Sequence, residues 1–273
     1  MIVSVSRRCD IPRFAFGWFM EKINTGFAEA VNPFNKNQVK RIPLDNTDLL
    51  VFWTRDPCNI LANTDELTER GFRFYVMVTV TGYPPELEPD MADTGIVLDA
   101  MKELAVKIGK ERLIWRYDPV LVTSITGWKF HRENFNSIAG CLSGSAGRVI
   151  ISLYDVYKKP HARLKTLEKA GILQIINSES TDNSGKLSEL LCSFAKSAAE
   201  AGMEIQSCAE KEDYSIYGIK KGACIDADLI NGLWGIETKG KDKNQRPDCL
   251  CCKSADIGVY GTCDARCVYC YAW

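Results

Sequence analysis

Residues 49–82 read LLVFWTRDPCNILANTDELTERGFRFYVMVTVTG, and this stretch decides the fold. Residues 49–54 and 74–80 are rich in β-branched and aromatic side chains and predict strands. Residues 59–70 between them follow a helical period, and Gly71 stands just past the expected helix end. Strand, helix and strand in so short a span make one βα unit. Working outward, the unit repeats. Further strands are expected over 2–6, 113–117, 149–153 and 204–207, with a weaker one over 29–31. Helices are expected over 12–24, 94–108, 129–142, 161–170 and 185–201, with Pro12 in a first turn and Gly109, Gly171 and Gly202 just past an end. The alternation runs too long for two small domains. An α/β fold follows, a full or partial parallel (β/α) barrel, with an open doubly wound sheet as the alternative because periodicity does not say whether a sheet closes.

After Cys208 the pattern changes to a Gly-, Lys- and Cys-rich segment with one short apolar helix over 227–233. The expected organisation is a barrel body over 1–209 and a metal-binding segment over 210–273 that completes the same domain. A chain of 273 residues is enough for one substantial core. Hydrophobic residues at 46% and charged residues at 25% are ordinary for a globular enzyme and exclude disorder as the main state. The net charge of -1 argues against a nucleic-acid partner, and the basic stretches Lys158-Lys159 and 239–243 read as solvated surface. The N-terminus reaches charge too early for a secretory signal, and no apolar run approaches the roughly 20 residues needed to span a bilayer. A cytoplasmic protein with no membrane partner is the expectation.

In a parallel barrel, function collects where strands run into their following loops. Arg7, Arg8, Arg55 and Arg116 fall there and can present forked donors to a carboxylate or phosphate. Asp10, Asp56, Asp118 and Glu210 fall there too, to orient those arginines or bind ribose hydroxyls. The alternative for each is a strand-end salt bridge or a turn cap. No Gly-x-Gly-x-x-Gly fingerprint and no phosphate loop are present, so nucleotide chemistry of those kinds is excluded. The two histidines, His131 and His161, read as surface or capping residues, which leaves no basis for a Ser-His-Asp hydrolase.

Twelve cysteines without an export signal point to metal ligation. Cys9, Cys58, Cys141 and Cys192 are scattered and read as small buried hydrophobes. Cys263, Cys267 and Cys270 follow a Cys-x3-Cys-x2-Cys spacing. Three thiolates on a tight loop can bind three irons of a 4Fe-4S cluster and leave the fourth iron open. Zinc sites favour paired Cys-x2-Cys units and four ligands, a poorer match. Cys208, Cys224, Cys249 and Cys251 supply a second four-thiol set, with Cys252 as a spare; zinc and a second 4Fe-4S cluster fit it equally on ligand count.

The cysteine spacing, with aromatic Tyr269 before the last cysteine, resembles the radical S-adenosylmethionine superfamily. Ser-Arg-Arg-Cys-Asp-Ile-Pro at residues 6–12, Asn32-Pro33-Phe34-Asn35, Phe52-Trp53-Thr54-Arg55, Trp115-Arg116-Tyr117-Asp118-Pro119 and residues 254–263 together resemble the bacterial domain-of-unknown-function family 1848. The likeness runs nearly end to end. It implies a barrel of radical type, permuted because the cysteine loop stands last, with residues 255–260 as a strand beside residues 2–6. It further implies S-adenosylmethionine on the open iron, a 5′-deoxyadenosyl radical that abstracts hydrogen from the substrate, and an electron donor such as flavodoxin or ferredoxin. Tyr269 is then expected near the adenine, Thr54, Thr79, Arg7, Arg8 and Asp10 at the cofactor, and Arg55, Arg116 and Asp118 at the reaction. Cys9 stands where a threonine is expected, and a short tail beyond Trp273 is expected. No substrate motif is legible. The competing functions are a non-catalytic iron–sulfur or zinc protein for electron transfer or sensing, and a radical enzyme acting on nucleic acid.

Overall fold

Strands β4 (Leu49–Thr54) and β5 (Phe74–Thr79) are buried along their whole length, so both faces of the sheet they share must be covered. The computed structural model describes all residues except 33, 34, 239 and 244, and not the side chain of Lys36. Pro33 and Phe34 of the 32–35 motif and Lys239 of the basic stretch therefore lie outside the described residues. Around β4 and β5 are β1 (Ile2–Val5), β6 (Leu113–Val120), β7 (Arg148–Leu153), β8 (Glu204–Cys208), β9 (Lys220–Gly222) and β10 (Ala255–Asp256). They form one eight-stranded sheet in the order β10-β1-β4-β5-β6-β7-β8-β9, parallel throughout. Strands β9 and β10 are its edges and do not pair with each other among the described residues.

The helices are α1 (Ile11–Phe14), α2 (Phe16–Thr25), α3 (Cys58–Glu69), α4 (Thr94–Ile108), α5 (Trp128–Cys141), α6 (Lys158–Lys169), α7 (Ser184–Glu200) and α8 (Ala227–Trp234). None is long and apolar enough to cross a membrane among the described residues. Alternate strand residues face opposite ways. Val3, Phe52, Val76, Trp115 and Ile151 pack in one cluster with helical residues such as Phe19, Met101, Phe135 and Phe194. Ile2, Val51, Met77, Ile114, Ile150 and Cys208, the other parity, share a separate cluster with residues 223–225 and with Cys249, Cys251 and Cys252. Both clusters gather side chains from β1 to β8, so both faces of the sheet are covered. The motif Trp115-Arg116-Tyr117-Asp118 alternates for this reason: Trp115 and Tyr117 enter the helix-side core, while Arg116 and Asp118 line a cavity on the other face.

Three expectations change. The helix expected over 12–24 breaks at Ala15, whose φ of -140° leaves the helical region, so α1 and α2 are separate. The weak strand at 29–31 lies in β2 (Phe27–Asn32), which pairs antiparallel with β3 (Asn35–Pro43) outside the main sheet. Strand β3 was not foreseen because its polar sequence packs little: among its described side chains only Ile42 is buried. The scattered cysteines are not core residues: Cys9 and Cys58 are half-buried, and Cys141 and Cys192 are exposed on α5 and α7. Small size permits burial of a cysteine without requiring it.

His131 is a further correction. It is fully buried, with Nδ1 2.9 Å from the Tyr117 hydroxyl and Nε2 3.1 Å from the Leu121 carbonyl. Burial pushes its pKa down to about 4. The fold thus favours the neutral ring, and this contribution is complete above the unfolded pKa near 6.5 and is lost as pH falls towards 4, a change of roughly 3 kcal/mol. Asp10, pushed up by burial to about 6, acts in the opposite sense, so parent and variant must be compared. Urea unfolding at pH 7 and pH 4.5 should show a steeper acid loss in the parent than in His131→Gln; equal slopes would contradict this role. His161, half-buried on α6, leaves its Nδ1 without a partner.

Candidate metal centre

Strand β10 has only two residues, fewer than the six expected, and a two-residue ladder is weak anchorage. Asp256 supplies the rest. Its buried carboxylate accepts from Ser4 Oγ at 2.9 Å, Ser6 Oγ at 2.5 Å and the backbone N–H groups of Arg7 at 2.8 Å and Gly258 at 2.9 Å. Four donors on one carboxylate lock β10 to β1. Gly258 is needed beside it, because a Cβ there would stand 2.0 Å from Ser6 Oγ and 2.9 Å from Cys9 Sγ. The chain thus leaves the sheet edge on a fixed course into the cysteine loop.

That loop is tied from α6. Arg163 donates to the carbonyls of Val268 at 2.9 Å, Trp273 at 3.0 Å and Cys270, and its guanidinium lies 4.0 Å above the Trp273 ring. The Trp273 indole N–H donates to the Cys267 carbonyl at 2.8 Å, and the Val268 N–H to the Leu87 carbonyl at 2.9 Å. Cys267 is buried, while Cys263 and Cys270 are half-buried. Burial pushes the Cys267 thiol up to about 12, against the pull of Arg55, and raises Cys270, against the Ala272 N–H, Arg55 and Arg163.

All three thiols open on a cavity of about 440 Å³, and an adjoining hollow of about 230 Å³ shares Cys267 and Cys270 with it. Arg7, Arg55, Thr79 and Arg116 line both hollows; Asp10 and Thr54 line the larger, Asp118 and Tyr269 the smaller. Cys263 and Arg116 thus face one space, as a permuted arrangement requires. Arg8 is not among the lining residues: it donates to the carbonyls of Val31 at 3.5 Å and Gly258 at 3.4 Å and lies 5.4 Å from the Tyr260 ring.

The carboxylates at the rim hold arginines and turns. Arg116 is paired with Asp118, which also accepts from Ser152. Arg7 reaches Asp242 at 3.3 Å and Asp256 at 3.6 Å. Asp10 caps α1 through the Arg13 N–H at 3.0 Å and accepts from the Arg55 N–H at 2.8 Å. Thr54 closes a turn with Asp56, and Glu210 accepts from the Leu153 N–H at 2.9 Å. Capacity remains at two arginines: Arg7 Nη1 and Arg116 Nε are buried without a partner among the described residues, and the two guanidinium carbons lie 5.9 and 4.9 Å from the Trp53 ring centre. Tyr269 is buried, its hydroxyl bonded to Arg55 and Glu88 and its ring 5.8 Å from Tyr83. Glu88, Arg163 and Asp256 were not singled out from sequence. Each acts on residues at least 100 positions away, and no local pattern marks them.

The other cysteines gather where the two sheet edges approach each other. Cys208 ends β8, Cys224 follows β9, and Cys249 and Cys251 precede β10. Cys208 and Cys224 sulfurs are 3.4 Å apart, Cys224 also bonds Cys251, and Cys251 bonds Cys249. Those sulfur contacts favour the protonated form at Cys224 and Cys249 and the thiolate at Cys251. Cys252 bonds Thr238 instead and stands apart from the chain of sulfurs.

The 263–270 loop fits an iron–sulfur cluster in donor chemistry. Soft thiols meet at one cavity wall, and the cations Arg55 and Arg163 stabilise the Cys270 anion. Among the described residues no group of three or more His, Cys, Asp or Glu side chains stands ready round a single metal ion. The match is therefore one of placement and donor type, not of a finished coordination shell. A family model described as Domain of unknown function (DUF1848) matches residues 2–272. No curated protein and no solved structure matches the chain.

Proposed function

Since the chain belongs to this family, whose description carries no reaction, we propose from its own residues that it is a radical S-adenosylmethionine enzyme. Cys263, Cys267 and Cys270 hold a 4Fe-4S cluster with one iron left for the cofactor. The observation that carries the reading is that the three thiols open on one cavity lined also by Arg7, Arg55 and Arg116. When bound there, such a cluster would supply the electron for reductive cleavage of S-adenosylmethionine.

The protein's own groups have separate tasks. The guanidinium groups of Arg7 and Arg116 offer donors to the carboxylate of bound S-adenosylmethionine, and the Trp53 ring beside both shields that end from water. Tyr269, which lines the smaller hollow and is backed by Tyr83, offers its ring to the adenine. Asp118, oriented by Arg116 and Ser152, stands across the same space and positions the substrate. The parallel sheet is on this reading a partial (β/α) barrel of radical type, permuted so that β10 with its cysteine loop fills the place beside β1. A flavodoxin- or ferredoxin-class donor supplies the electron, and the need for reduced thiols matches a cytoplasmic location.

The test is product formation. Anaerobically reconstituted protein given dithionite and S-adenosylmethionine should release 5′-deoxyadenosine. Iron-loaded protein that releases none would assign it instead to non-catalytic electron transfer or sensing.

A further inference from the structure

We propose that Cys208, Cys224, Cys249 and Cys251 bind one structural zinc ion that joins the two edges of the sheet. The inference does not rest on the radical chemistry above. The Cys208 and Cys224 sulfurs lie 3.4 Å apart, and Cys251 bonds both Cys224 and Cys249, so the four form a chain that closes round the ion on binding rather than a ready-made shell among the described residues. Four zinc–sulfur bonds of about 2.3 Å in a tetrahedron set their sulfurs about 3.8 Å apart, close to van der Waals contact. A four-iron cubane carries its thiolates outward on its corners and keeps them well beyond contact, so touching sulfurs select the single small ion.

The surroundings agree. All four cysteines are buried in the apolar cluster on the face away from the main helix-side core, beside Ile225 and Ile230. The Ile225 N–H donates to Cys251 Sγ at 3.3 Å, an outer-shell bond that steadies a thiolate ligand. The Cys252 N–H donates to the Ile225 carbonyl at 3.0 Å, and the Tyr75 hydroxyl to the Cys224 carbonyl at 2.6 Å, so the backbone carrying two ligands is already fixed. Zinc binding converts the thiols to thiolates and releases their protons, with no change of oxidation state. Its place explains its use. Residues 223–225 leave β9 and residues 249–252 lead into β10, edges that form no strand ladder with each other among the described residues, so the ion reinforces the few hydrogen bonds that join them. It thereby holds the segment from which the cysteine loop continues.

The four thiols also edge the large cavity, so iron is the alternative to exclude. Tag-free protein expressed with both metals available is analysed for zinc and iron, and its zinc absorption edge is measured. The expected results are one zinc per chain with four sulfur neighbours at about 2.3 Å. The variant Cys263→Ala/Cys267→Ala/Cys270→Ala should keep that zinc while losing iron, and Cys224→Ser/Cys251→Ser should lose the zinc. Iron retained without zinc in the triple variant, nitrogen or oxygen neighbours at the zinc edge, or zinc-free folded parent protein would overturn the proposal. If the double variant does not fold, the zinc edge of the parent decides alone. Because the readout is metal identity, it stands or falls apart from 5′-deoxyadenosine formation.

Discussion

Replacing Cys267 with alanine is expected to strip iron from the 263–270 loop and bring 5′-deoxyadenosine formation to background. The loss should exceed the roughly 100-fold that outer-shell changes at metal sites reach, because a ligand itself is removed. Cys267 is the most buried of the three loop thiols, and its carbonyl is held by the Trp273 indole, so its place in the loop is fixed. Burial pushes its thiol up to about 12, so ionisation depends on the metal and on Arg55, and an empty site stays protonated at neutral pH. Cys192→Ala, at an exposed position on α7, is the matched control and should leave iron content and turnover unchanged. Full iron loading with turnover in Cys267→Ala would remove this residue from the ligand set.

Arg55→Met is expected to cost about 3–5 kcal/mol of stability, the usual penalty for leaving one member of a buried ion pair alone. Arg55 and Glu88 are 2.8 Å apart with side chains 12% and 3% exposed, so solvent cannot take over the carboxylate. Thr81 and Tyr269 share that carboxylate, which makes Arg55 a link between the loop after β5 and the cysteine loop. Denaturant unfolding measures the loss. Adding Glu88→Leu should recover a large part of it, since an apolar pair of similar bulk avoids the stranded charge. A cost under about 1 kcal/mol, the range of an exposed pair, would show that the pairing carries little.

The repeated units were legible because strands such as residues 49–54 and 74–80 are buried on both faces and read as unbroken apolar runs. Helix ends marked by Gly71, Gly109, Gly171 and Gly202 were legible too, and all four hold positive φ. Strand β3 was illegible because an exposed polar hairpin needs no apolar pattern. The burial of His131 was illegible because its partners, Tyr117 and Leu121, come from β6 and the chain beyond it, and only the fold brings them to α5. The cysteine loop could be found from spacing alone. What holds it could not: Asp256 acts through Ser4 and Ser6, Arg163 through carbonyls more than 100 residues on, and Glu88 through Tyr269. Such pairs are set by where strands end in space, and sequence distance conceals them. The rim arginines show the middle case. Their place at strand ends was readable, but that most of their donors would be taken up by carboxylates was an even choice until the pairs were seen.

The central claim is that three loop thiolates leave one iron free for S-adenosylmethionine, and electron paramagnetic resonance of the dithionite-reduced protein tests it most directly. A reduced-cluster signal should be present and should change its g-values when S-adenosylmethionine is added, because the cofactor becomes a ligand of the cluster. A signal that is identical with and without the cofactor, or iron-free protein after strictly anaerobic purification, would contradict it.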